Sequence, residues 1–341
     1  MEQSSRNKRI YIVYGILTVL VIAGIIASIC IGSVRIEPLE LMKILFKGEG
    51  PDKSRSIIMN IRLPRMLMTC ILGGGLAVSG FLLQTYFSNP IAGPYILGIS
   101  SGSKMVVALV LIFIVGKKGT TSGLMLVTAA FIGALLATSF IILISTRVRN
   151  MAALLAAGIM IGYICSAITD FLIAFADDSD IVNLHSWSQG SFSGASMEGA
   201  ITCIFIVGFA LIMVLILSKS LDALRLGESY ARSVGVNVRL ARVLIILLSS
   251  LLAACVTAYA GPVSFIGIAV PFLMRQSMCS SKPIVLIPAS FLAGAVFCMF
   301  SDIIARSLFA PMEINISAVT SLFGAPIVIF MIIRRRKRHE A

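Results

Sequence analysis

The sequence predicts an all-α membrane protein that crosses the bilayer ten times, with both termini in the cytoplasm. Three observations carry that expectation. Of 341 residues, 58% are hydrophobic and 13% charged, with a mean hydropathy of +1.01, whereas a soluble domain carries roughly 25% charged residues. Apolar runs of about 20 residues recur along the whole length, each long enough to cross a hydrocarbon core about 30 Å thick. Lysine and arginine crowd one set of connecting loops.

With Gly, Pro and charged residues as punctuation, the spans fall at about 10–31, 64–87, 95–115, 123–145, 151–175, 198–218, 243–260, 263–278, 284–304 and 316–333. The first is too long for a signal-peptide core and has no small-residue cleavage site after it, so it is kept as a span. An even number places both termini on one side. With the termini inside, the inner segments hold 17 Lys/Arg against four acids (Glu2, Asp222, Glu228 and Glu340). The outer segments balance at ten against ten, and Lys104 and Asp170 cancel within spans. The whole excess of +13 therefore sits inside, as the positive-inside bias requires. Orientation accounts for the basic balance, and no nucleic-acid partner is read from it. The expected organisation is a single domain over 1–341, with a tail at 1–9, an inner loop at 219–242 and a basic tail at 334–341.

An internal echo points to repetition. Ala92-Gly93-Pro94 leads into YILGIS, and Ala260-Gly261-Pro262 leads into VSFIGIA. The first lies at the inner end of spans two and three, the second at the outer end of spans seven and eight. An inverted repeat of five plus five helices produces that relation.

Residues able to do chemistry are few. The seven cysteines are scattered without a CxxC pair and read as apolar packing residues. The two histidines, His185 and His339, lie in a loop and a tail, so no metal site, cofactor or catalytic constellation is expected. Asp170 is the one acid read inside a span, near the outer surface. Lys104 lies about 14 Å from the inner surface, so the two are not partners. Lys104 either snorkels to that surface or faces a central lumen and an anionic substrate. No GxxxxGK[ST] pattern occurs, so any ATP hydrolysis belongs to another chain. In the inner loop, Leu221, Leu224, Leu226, Tyr230, Ala231 and Val234 fit a short amphipathic helix, broken by Gly227 and stopped by Gly235, that docks into a partner's groove. Outside, IRLPRML places Arg62 and Arg65 around Pro64 at the mouth of span two, where the bias disfavours positive charge.

Several blocks resemble the membrane permeases of iron-siderophore, haem and vitamin B12 ABC importers, the FecCD-type permeases. They are RLPRMLMTCILGGGLAVSGFLLQTYFSNPIAGPYILGISSGS (62–103), LGESYARSVGV (226–236), AGPVSFIGIAVPFLMR (260–275), SDIIAR (301–306) and TSLFGAPIVIF (320–330). The resemblance implies ten helices per chain and a central path formed with a second permease, identical or paralogous. It also implies two copies of a separate ATPase and an extracytoplasmic substrate-binding (lipo)protein, in a bacterial cytoplasmic membrane. Arg62, Arg65 and Arg306 match arginines that meet the binding protein's glutamates. Leu226, Gly227, Ala231, Gly235 and Val236 match the ATPase-coupling motif. Asn89 and Ile91 match a constriction at the cytoplasmic end of the path. The glycines Gly73 to Gly75 with Ala77, Ser79 and Gly80, and Gly158 with Gly162, provide small-residue packing faces. Phe272 stands where the family commonly has histidine, and Asn315 and Ser317 where Pro and Gly are usual. The second half of the gate, near Met151-Ala152, does not match. The implied cargo is a ferric siderophore, with haem or a cobamide as alternatives within the class. A self-sufficient carrier or channel is the alternative outside it.

Overall fold

The computed structural model describes residues 2–32, 34, 36–37, 40–41, 43–44, 51–115, 123–148 and 150–339. The GKKGTT stretch (116–121), Arg149 and Glu340 lie outside the described residues. Among the described residues there are thirteen helices and no strand. They are α1 (Glu2–Cys30), α2 (Asp52–Tyr86), α3 (Ile99–Val110), α4 (Gly123–Arg147), α5 (Met151–Ile173), α6 (Asp178–Ser188) and α7 (Met197–Ile216). Then follow α8 (Ser218–Arg225), α9 (Glu228–Ser233), α10 (Val238–Ala260), α11 (Ile266–Met278), α12 (Pro283–Ser307) and α13 (Ile316–His339).

All ten expected spans coincide with helices. Among the described residues, seven helices are long and apolar enough to cross a membrane: α1 from Asn7, α2, α4, α5, α7, α10 and α12. The other three are shorter. The apolar part of α3 with its following turn is Ile99–Ile114, that of α13 is Ile316–Phe330, and α11 has 13 residues. The molecule is therefore a multi-pass, all-helical membrane protein. Helix α6 is an addition, lying in what reads as an outer loop.

Boundaries differ from expectation where polar residues are good helix formers. Helix α1 runs through the expected 1–9 tail from Glu2, and α13 runs on through Arg334 to His339. Helix α10 starts at Val238 rather than 243, capped by the Asn237 side chain, which accepts from the Leu240 N–H. The correction at Pro64 is the most instructive. Pro64 does not start span two, because the helix begins at Asp52 and passes through a π-helical turn, Ile58–Arg62, before Leu63. The Leu63 N–H reaches back to the Ile58 carbonyl. A proline inside a helix removes a donor and crowds the preceding turn. The wider π turn directly before Pro64 lets the helix continue across it.

Helix α2 is the most buried span and packs chiefly against α12, α10, α11 and α7. Its small residues make this approach close. A Cβ on Gly73 would meet the Cys298 side chain and the Gly294 carbonyl of α12, and one on Gly80 would overlap the Gly267 carbonyl of α11. Ser79 donates to the Ser249 carbonyl of α10 at 2.7 Å, the short-range polar contact that replaces a hydrophobic driving force between spans. The Gly158 and Gly162 face of α5 takes the backbone of Ile96 to Gly98. Helices α1 and α5 are the least buried spans.

Two helices are broken in the same way. Helix α3 follows Gly93-Pro94 and a 3-10 turn, Pro94–Leu97, and starts from Gly98 at φ +74°. Helix α11 follows Gly261-Pro262 and starts from Phe265 at φ +63°. The left-handed region is cheap for glycine and costs a β-carbon-bearing residue about 1–2 kcal/mol. Phe265 is held there with its Cβ against Gly324 of α13. The two breaks touch each other: the Val263 N–H donates to the Tyr95 hydroxyl at 3.1 Å, and Pro94 lies against Gly267.

Candidate functional site

On the side read as outer, the chain folds its three candidate arginines onto one end of the bundle. The C-terminal carbonyls of α1 have no intrahelical donors and carry the negative end of the helix dipole. Arg62 satisfies them, donating from Nη1 to Ile29 O at 2.5 Å and Cys30 O at 3.2 Å, and from Nη2 to Val34 O. Arg306 adds a bond to Ser28 O at 2.5 Å. Arg65 is gripped from two sides. Its Nη2 lies 2.9 Å from Asp302 Oδ1, while Nη1 and Nη2 donate to the two Glu313 oxygens at 2.9 and 3.1 Å. Asp302 also lies 3.6 Å from Arg306 Nε, so one buried carboxylate bridges both arginines.

None of the three guanidinium groups is idle, since each is engaged by its own chain. Glu313 is the exception to the burial. Its side chain is 40% exposed while that of Asp302 is 2% exposed, so the Arg65–Glu313 half of the cluster faces the surface. Asp302 corrects the reading of Asp170 as the one acid inside a span, because Asp302 lies in α12. The i, i+4 spacing of Asp302 and Arg306 was the available signal.

At the centre, α2 carries the buried Gln84, whose Nε2 donates to Gly267 O at 3.3 Å and Ile268 O at 3.0 Å. The cause lies in the sequence of α11. Pro271 has no N–H, so the Gly267 carbonyl four residues earlier loses its helical donor. Gln84 supplies a replacement from another helix, which ties α2 to the second broken helix.

Beyond Gln84, α2 ends and the chain turns through Ser88 at φ +50°. There the Asn89 side chain accepts from the Ile91 N–H at 3.1 Å, closing a local turn. Asn89 is half-buried, and Ile91 is exposed. The chain therefore presents Ile91 outward just beyond the end of α2. Lys104 is half-buried on α3 and Asp170 exposed on α5. Among the described residues neither has a hydrogen bond or ion pair.

On the basic side, the predicted amphipathic segment is a pair of short helices, α8 and α9, hinged at Gly227 (φ +113°) and closed at Gly235 (φ +83°). The closing turn has the Val236 N–H on Ala231 O at 2.9 Å and the Gly235 N–H on Arg232 O at 3.1 Å, the paired bonds of a glycine helix stop. Its apolar residues divide by direction. Leu221 and Ala231 are fully buried against the bundle, whereas Leu226, Tyr230 and Val234 are 65%, 48% and 53% exposed. Three large apolar side chains therefore project from one short helical element on a charged face, the kind of patch that marks interaction sites in general.

An all-helical multi-pass protein with two broken helices in contact at its centre and a projecting helix pair on its basic face has the architecture of a membrane permease. The comparisons place it further. The model of the FecCD transport family matches residues 20–334, and the chain belongs to that family. It is 33% identical over 318 residues to the hemin transport system permease protein HmuU of Yersinia pestis, covering 93% of this chain and 95% of the relative. It is 34% identical over 322 residues to the vitamin B12 import system permease protein BtuC of Klebsiella pneumoniae, covering 94% and 93%. Among solved structures it matches an inward-facing conformation of a metal-chelate type ABC transporter with a TM-score of 0.83 and 29% identity, covering 95% of this chain and 99% of that one.

Proposed function

We propose that this chain is the permease subunit of a binding-protein-dependent ABC importer in a bacterial cytoplasmic membrane. Its cargo is an iron chelate, a ferric siderophore in the first instance. The observation that carries the class is the α8–α9 pair. Its outward Leu226, Tyr230 and Val234 fit the groove of a separate ATPase, and no phosphate-binding loop of the Walker type occurs in this sequence. Rigid-body motion of such a helix enters the span bundle through its buried Leu221 and Ala231.

A second permease chain completes the path, with Asn89 and Ile91 at its inner constriction. An extracytoplasmic binding protein docks on the outer arginine cluster, where bidentate pairing of guanidinium with carboxylate orients as well as attracts. In this reading Lys104 meets an anionic chelate in that path. The hemin and vitamin B12 relatives support haem or cobalamin cargo to the same degree as an iron chelate, so cargo is decided by transport. With the co-encoded ATPase and binding protein in proteoliposomes, a ferric hydroxamate is expected to accumulate faster than hemin or cyanocobalamin. Accumulation of hemin or cyanocobalamin alone would reassign the cargo and leave the class standing.

A further inference from the structure

Glu228 opens α9, and its carboxylate reaches across to the next helix. Oε1 lies 2.6 Å from Arg242 Nη2, while Oε2 is 3.7 Å from Arg232 Nη2. Arg242 stands in the second turn of α10 with its side chain only 10% exposed. Its other terminal nitrogen, Nη1, donates to Ser145 O at 3.0 Å and to Val148 O at 3.3 Å. Those carbonyls end α4, where no intrahelical donor remains. One guanidinium therefore caps α4, sits on α10 and grips α9. The turn that it caps leads directly to Asn150, whose side chain accepts from Ala152 N at 2.9 Å and so fixes the start of α5.

The surroundings leave this junction room to move. A cavity of about 220 Å³ adjoins it, lined by Ser145, Thr146, Arg232, Val238, Arg239 and Val243 together with Arg242. Densely packed side chains resist displacement, whereas an arginine beside a cavity of mixed polar and apolar lining has space into which it can swing. The comparable link from α8 is weaker. Arg225 pairs with Asp222 in the same helix and bonds Ser281 O, but the two side chains are 30% and 51% exposed, and exposed pairs contribute little.

We propose that Arg242 is a positioning residue that transmits displacement of α9 to the α4–α5 turn, acting through Glu228 on one side and the Ser145 and Val148 carbonyls on the other. The proposal rests on α9 being the ATPase-coupling element. It requires a fork of donors: lysine can hold Glu228 but cannot also bridge both carbonyls in the same plane. It also requires donors at position 242 in particular. The swapped pair Glu228→Arg with Arg242→Glu restores an ion pair but gives α4 no donor.

The test uses the permease–ATPase complex with spin labels at the exposed positions Arg147 and Lys282, in a background with the exposed Cys279 replaced by serine. Two readouts are taken: affinity for the ATPase, and the change in label separation on adding a non-hydrolysable ATP analogue. The Arg242→Gln variant is expected to bind the ATPase as wild type does, since Leu226, Tyr230 and Val234 are untouched, and to lose the separation change. Arg242→Lys is expected to retain part of that change and the swapped pair none. Should Arg242→Gln fail to assemble, Glu228→Gln keeps the α4 cap and is expected to reduce the change. An undisturbed change in Arg242→Gln, or in Glu228→Gln where that variant stands in, with ATPase bound, overturns the relay alone. A wild-type chain that binds no ATPase, or binds it equally after Tyr230→Asp, overturns the coupling reading and the relay with it.

Discussion

Arg65 joins a buried contact to a surface one, which is what the proposed docking role asks of it. Its contact with Asp302 is buried and its contact with Glu313 is half open. Removing one partner of a buried pair costs about 3–5 kcal/mol because a charge is stranded. Arg306 stays 3.6 Å from Asp302, which places Arg65→Ala at the lower end, about 3 kcal/mol. Thermal melting in detergent should show that loss, partly recovered when Asp302→Asn is added. The exposed half makes a different prediction. Glu313 already occupies Arg65 in the bidentate manner that a binding-protein glutamate would use. Glu313→Gln should therefore strengthen capture of the binding protein, while Arg306→Glu should weaken it in a salt-dependent way. Unchanged capture in both variants would remove the cluster from the docking face. The three arginines were legible in the sequence through the family blocks, and the i, i+4 spacing hinted at Asp302 beside Arg306, but the partners of Arg65 and Arg62 were not. Arg65 and Asp302 are 237 positions apart, and nothing local in either segment announces the pairing.

At the scale of elements, hydropathy found the spans and missed their irregularities. Apolar composition does not distinguish a continuous helix from one interrupted by a π turn. Pro64 could be read as a helix start because the polar run from Asp52 to Ser56 and Asn60 interrupt the apolar signal around Ile57 to Met59. Helices α3 and α11 read as ordinary spans for the same reason, although Gly-Pro at each entrance was visible and marked the place. The hinge glycines of α9 were legible, because Gly227 and Gly235 bracket a short amphipathic run, and both adopt positive φ. The α2–α11 crossing supplies the test of packing at this scale. In Gly80→Ala the new methyl group meets a backbone carbonyl rather than a flexible side chain, and overpacking of that kind costs about 1–3 kcal/mol or more. A methyl group on Gly208 of α7 would meet nothing within 4 Å, so Gly208→Ala should leave melting unchanged or raise it. Equal melting of the two variants would contradict the crossing.

For the whole molecule, the charge count, the echoed Ala-Gly-Pro segments and the projecting helix pair support the proposal of a protein driven from one face. The two echoed segments meet where Tyr95 accepts from Val263 and Gln84 repairs the gap left by Pro271. The central break is thus joined to the same α2 that carries Arg62 and Arg65 at one end and leads to Ile91 at the other. In the proposed reading such a bundle contains the path and the docking faces and depends on another chain for energy. The most direct measurement is uptake into proteoliposomes holding this permease, with and without its co-encoded ATPase, ATP and binding protein. Accumulation only when all are present is the expected result. Flux through the permease alone, indifferent to ATP, would contradict the account.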